Sequence, residues 1–107
     1  MKAHRNGRVV ELYRDLALRR FGDDLDRIVL FGSRARGTAH KDSDWDIAVF
    51  LKHTITAEDQ RSVSSIGHDV MCETGALIQS MALPATRWDD TDELARRIRG
   101  EGVAVYG

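Results

Sequence analysis

Two short apolar runs, joined by a loop rich in Gly, Ser and Arg, constrain this fold more than any other feature. The first run is Ile28-Val29-Leu30-Phe31, and it ends at Gly32-Ser33. Ten residues follow, and Asp44-Trp45-Asp46 then leads into the second run, Ile47 to Leu51. Short apolar runs bounded by turn residues read as buried strands. Side chains alternate along a strand, so Asp44 and Asp46 share one face while Trp45 and Ile47 share the other. Two adjacent carboxylates repel, and one tends to take up a proton unless a cation lies between them. Hard divalent cations such as magnesium accept one or two carboxylates and complete their shell with water and phosphate oxygens. A Gly-Ser turn offers backbone donors, a hydroxyl and little bulk, which suits close approach to a phosphate. The stretch therefore predicts a metal and phosphate site between two strands.

Taken together, Gly32-Ser33, the ten-residue spacing and Asp44-x-Asp46 resemble the signature of the DNA polymerase β nucleotidyltransferase superfamily. Gly-Ser-Arg-Ala-Arg-Gly over 32–37, with Ser-Asp-x-Asp-Ile-Ala-Val over 43–49, resembles its minimal nucleotidyltransferase (MNT) branch. Neither half of the signature means much alone; the joint spacing between two strands makes it specific. The resemblance implies that Gly32 and Ser33 grip the β- and γ-phosphates of a nucleotide triphosphate. It also implies that Asp44 and Asp46 are the catalytic carboxylates and hold one or two Mg2+ ions, with ATP as the substrate. Arg34 and Arg36 have two readings, phosphate contacts or a solvated ion-paired face. Ser43 either orients Asp44 or simply shapes the turn. Trp45 is expected to pack in the core beneath the site, and His40 is the histidine nearest the motif in sequence.

One departure from the family stands out. Catalytically complete members carry a third acidic residue, base and metal ligand, on the strand after the central helix. Here that strand reads Ala76-Leu77-Ile78-Gln79-Ser80-Met81-Ala82-Leu83, without a carboxylate. Gln79 or Ser80 takes the expected position, and Glu73 substitutes only if the chain bends it toward the metals.

The rest of the chain reads as a small α/β (α+β) domain over 1–107, a mixed sheet flanked by helices. Val9, Val10, Leu12, Tyr13, Leu16, Ala17 and Phe21 recur at helical spacing, and Gly22 closes the pattern. A short acidic connection, Asp23 to Asp26, precedes the first strand, and a helical turn over Ser33–Arg36 follows it. Such a turn sets a helix N-terminus beside the phosphates. Thr56 with Asp59 three residues on predicts a helix start, and its stripe of Val63, Ile66, Val70 and Met71 ends near Gly75. Asp89 to Asp92 favours another helix start, with Leu94, Ala95 and Ile98 inward and Gly100 closing it. Residues 102–106 form either a last strand or an ordered extension.

Composition narrows the function classes. A chain of 107 residues with net charge −1 lacks the basic excess expected of a dedicated nucleic-acid surface. Arg34, Arg36 and Lys41 form a local cluster better matched to a triphosphate. The single cysteine, Cys72, excludes an internal disulfide, and a cytoplasmic location is the expectation. No stretch has membrane-spanning length, and no signal-peptide core follows Met1. His4, His40, His53 and His68 show no paired zinc spacing.

Many MNT proteins resemble this chain in size and act as antitoxins of a separate HEPN-domain ribonuclease toxin. The resemblance implies a HEPN partner, a hetero-oligomer, and transfer of AMP from ATP to a tyrosine hydroxyl of that toxin. Two further readings stay open: a degraded nucleotide-binding antitoxin working by contact, and a small-molecule transferase of the aminoglycoside type. Met81, Leu83 and Trp88, around Pro84, form either a partner patch or the closure of the core.

Overall fold

The computed structural model describes residues 2–107, with side chains from Gly7 onward, so His4 lies outside the described side chains. Four strands form one mixed sheet in the order β3-β2-β1-β4: β1 is Leu25–Phe31, β2 Trp45–Leu51, β3 Ile78–Pro84 and β4 Val103–Tyr106. β1 runs antiparallel to β2 and β4, whereas β2 and β3 are parallel. A parallel pair needs a crossover, supplied here by helix α3, Ala57–Thr74. Helices α1, Lys2–Phe21, and α4, Glu93–Glu101, flank the sheet, and the single turn α2, Ser33–Arg36, leaves β1. No described helix is long and apolar enough to cross a membrane.

The alternation of β1 and β2 builds two cores. Ile28, Leu30, Trp45, Ile47, Val49 and Leu51 pack with Tyr13, Ala17, Val63, Ile66 and Val70 under α1 and α3. Val29, Phe31, Ala48 and Phe50 point the other way and meet Ile98 of α4. Each sheet face is therefore covered, which is why both runs are apolar almost throughout.

The structure differs from expectation at several points. β1 begins at Leu25, because a register shift between Leu25 and Arg27 lets the acidic connection join the sheet. Residues 103–106 are a true strand, which decides between the two readings of the tail. α4 runs through Gly100 to Glu101, so Gly100 does not close it. Met81, Leu83 and Trp88 are half-buried on the second core rather than forming an exposed patch. Trp88 meets Phe50 edge-on at 5.6 Å, and the Arg27 guanidinium lies 4.0 Å above its ring.

α3 starts as its sequence predicts. Thr56 accepts from the Asp59 amide at 3.1 Å, and the Asp59 carboxylate accepts from the Thr56 amide at 2.9 Å. The Thr56 amide, and less strongly the adjacent His53, hold the Asp59 carboxyl below its usual range. Thr56→Ala should cost about 1 kcal/mol in chemical denaturation. Asp59 has a folded-state pKa below its unfolded one, so its stabilisation is present above the ordinary carboxylate range. It is lost as pH falls through the depressed value. An Asp59→Ala variant should therefore lie below wild type at neutral pH and converge with it in acid.

Candidate active site

The site forms where β1 ends and β2 begins. Gly32 has φ 76°, a conformation that favours glycine, and a Cβ there would overlap the Asp46 carboxylate oxygen. The turn and Asp46 are thus in direct contact, as the ten-residue loop returns β2 alongside β1. Phe31 pairs with Asp46 across β1 and β2, and Asp46 pairs with Gln79 across β2 and β3. Asp46 shares its face with Ala48 and Phe50, the side that α4 covers. Asp44, exposed just ahead of the strand, lies close enough to act on Asp46 electrostatically. Burial first, and the Asp44 charge second, raise the proton affinity of Asp46; Arg97 and Arg36 partly offset this.

Arg36 and Arg34 separate. Arg36 donates to Glu101 Oε1 at 3.0 Å, on the site side of the turn. Arg34 donates to the carbonyls of Ser43 at 3.1 Å and Lys41 at 3.4 Å. Its guanidinium stands 4.5 Å over the ring of Trp45, whose side chain is buried in the α1–α3 core. In this structure Arg34 fastens the loop. The Ser43 hydroxyl accepts from the His40 amide at 3.0 Å, and so shapes the turn rather than bonding Asp44. His40 Nδ1 accepts from the Asp42 amide at 3.4 Å, tightening the same turn.

The parallel register decides between Gln79 and Ser80. Gln79 faces the Asp46 side, while Ser80 lies on the α3 side and donates to the Val63 carbonyl at 2.9 Å. Glu73 is exposed on α3, across the sheet from Asp46, and so stays away from it. A concavity of about 510 Å³ between α1 and α3 is also on that far face.

Two site-facing groups escaped the sequence reading: Arg97 and Glu101 of α4. Their i,i+4 spacing marks a surface pair, with Arg97 Nε 3.7 Å from Glu101 Oε2. Nothing in the spacing says that this pair overlooks a turn far back in the chain; Glu101 nevertheless accepts from the Gly32 amide, 69 residues earlier, at 3.2 Å.

Residues 17–107 match the family described as Polymerase beta, Nucleotidyltransferase. The chain belongs to that family. Two Methanocaldococcus jannaschii proteins, each named "Putative protein adenylyltransferase" (MJ0141 and MJ1305), are similar over short stretches. The first is 39% identical over 44 residues, covering 41% of this chain and 44% of that protein. The second is 59% identical over 34 residues, covering 32% of this chain and 23% of that protein. Each match spans less than half of the relative's length. The chain also shares its fold with chains of solved toxin–antitoxin structures. One, a toxin–antitoxin with AMP-PNP, has a TM-score of 0.69 at 22% identity, over 92% of this chain and 73% of that one. Another holds a tri-AMPylated Shewanella oneidensis HEPN toxin with its MNT antitoxin; the TM-score is 0.62 at 19% identity, over 100% and 73%. The nucleotidyltransferase fold expected of the motif is thus the fold observed.

Proposed function

We propose that this nucleotidyltransferase binds Mg-ATP at the Gly32–Asp46 contact and transfers AMP to a tyrosine hydroxyl of a HEPN-type toxin, neutralising it. The observation that carries the reading is the packing of the Gly32 turn directly against the Asp46 carboxylate. That contact brings phosphate-facing donors and metal-facing acceptors to one point. The donor set fits magnesium: two interacting carboxylates, one partly buried and electrostatically strained, with water and phosphates left to complete the shell. Among the described residues no three or more His, Cys, Asp or Glu side chains are grouped to hold a metal ion. When bound, magnesium would offset the charge developing on the α-phosphate and the departing pyrophosphate. Gly32 and Ser33 would align the triphosphate, Arg36 would meet its charge, and Arg34 and Ser43 would keep the loop in register. The likeness to proteins named as adenylyltransferases and to an MNT antitoxin bound to an AMPylated HEPN toxin supports the adenylyl-transfer and antitoxin parts of this reading.

Gln79 favours a second reading, an antitoxin acting by contact with slow chemistry or none. It stands beside Asp46 where complete family members carry a carboxylate, and it takes no proton at neutral pH. The experiment is AMP transfer from labelled ATP to a HEPN-domain protein by wild type and Gln79→Asp. A positioned general base contributes about 10²–10⁴-fold, so Gln79→Asp should accelerate transfer within that range. Transfer by neither protein, with tight toxin binding retained, would establish the contact-only reading. Ser80→Asp serves as a control: it puts a charge on the α3 side, and should destabilise without accelerating transfer.

A further inference from the structure

We propose that Glu101 is a built-in stand-in for a nucleotide phosphate: its carboxylate fills the anion position between Gly32 and Arg36, and nucleotide binding expels it. The inference rests on the nucleotide-binding reading above and adds a resident competitor to that site. Glu101 is the last residue of α4. Gly102 follows, where a Cβ would overlap the Ile98 carbonyl and crowd Val29, so this glycine lets the helix end close onto β1. The closure delivers the carboxylate to the turn. One oxygen accepts from the Gly32 amide at 3.2 Å and from Arg36 Nη1 at 3.0 Å. The other lies 3.7 Å from Arg97 Nε.

One turn amide and two guanidinium groups around an anion make the donor set that a phosphate oxygen seeks. A phosphate and the Glu101 carboxylate cannot share it, since both need the same amide and like charges repel at that range. Expulsion needs no backbone movement. The Glu101 side chain is 23% exposed, so turning its torsions carries the carboxylate into water. Arg36 and Arg97 are then released to the incoming phosphate, which makes Arg97 a phosphate-positioning residue. Until that exchange, the carboxylate keeps the Gly32 amide and both arginines pointed inward, and opposes weaker anions.

The test is calorimetric binding of Mg-ATP and of inorganic tripolyphosphate to wild type, Glu101→Gln, Glu101→Asp and Arg97→Gln. Glu101→Gln keeps the shape and removes the competing charge, so both ligands should bind roughly tenfold more tightly, about one charge-assisted hydrogen bond at a partly exposed site. Glu101→Asp withdraws the carboxylate by one methylene and should tighten binding less. Arg97→Gln should weaken it. In wild type the Gly32 amide resonance should move when either ligand is added, as its acceptor changes. Equal or weaker binding by both Glu101 variants, with wild type binding normally, overturns the stand-in and leaves the nucleotide site intact. No binding of either ligand to wild type or any variant overturns the nucleotide reading, and the stand-in with it.

Discussion

Gly32→Ala is expected to remove detectable nucleotide binding and to lower stability by about 1–3 kcal/mol, the usual range for a residue forced into a disfavoured backbone region. Two causes act at the same atom. The backbone at Gly32 has φ 76°, and the added methyl would overlap the Asp46 carboxylate oxygen. Relief requires either the turn or Asp46 to move, and both are parts of the proposed site. The causes separate in a double-mutant cycle. Asp46→Ala leaves only a Cβ at 3.4 Å from the added methyl, so it should remove the collision and keep the backbone strain. Gly32→Ala should then cost less in the Asp46→Ala background than in wild type, by denaturant titration. A cost unchanged between backgrounds would mean that the carboxylate contact is not what demands glycine.

Asp44→Asn with Asp46→Asn is the second large effect. The pair supplies the proposed metal acceptors, and metal-linked charge stabilisation is worth several kcal/mol, so AMP transfer should fall by at least about 10³-fold. Magnesium should then no longer change ATP affinity in calorimetry. Stability should move the other way. In the metal-free protein the folded pKa of Asp46 is raised by burial and by Asp44, so its ionised form is disfavoured by folding. That cost is absent below the unfolded-state pKa and is imposed as pH rises through the raised folded value. Asp46→Asn alone should therefore melt above wild type at pH 7 without metal. The gap should close as pH falls below about 4, where the carboxyl becomes protonated in both states. Equal magnesium dependence in wild type and the double variant would remove these aspartates from the site. A melting point lower than wild type would show that Arg36 and Arg97 outweigh burial and repulsion.

The sequence by itself determined the local parts. The apolar runs, the Gly32 turn, the Thr56–Asp59 helix start and the parity of Asp46 against Trp45 all follow from spacing, because period and turn chemistry act over a few residues. The placement of Trp45 in the core follows from the same parity. Decisions between distant segments needed the tertiary structure. Gln79 rather than Ser80 faces Asp46 because of the β2–β3 register, which depends on how α3 packs and not on either strand alone. Arg34 and Arg36 look alike in sequence, yet one is drawn to loop carbonyls over Trp45 and the other to Glu101. Glu73, six residues before Gln79, ends across the sheet, while Glu101, 69 residues after Gly32, ends against its amide. Folding across the sheet carries these groups together. No periodicity encodes that distance, because the buried faces of α4 and β1 set it only once they meet.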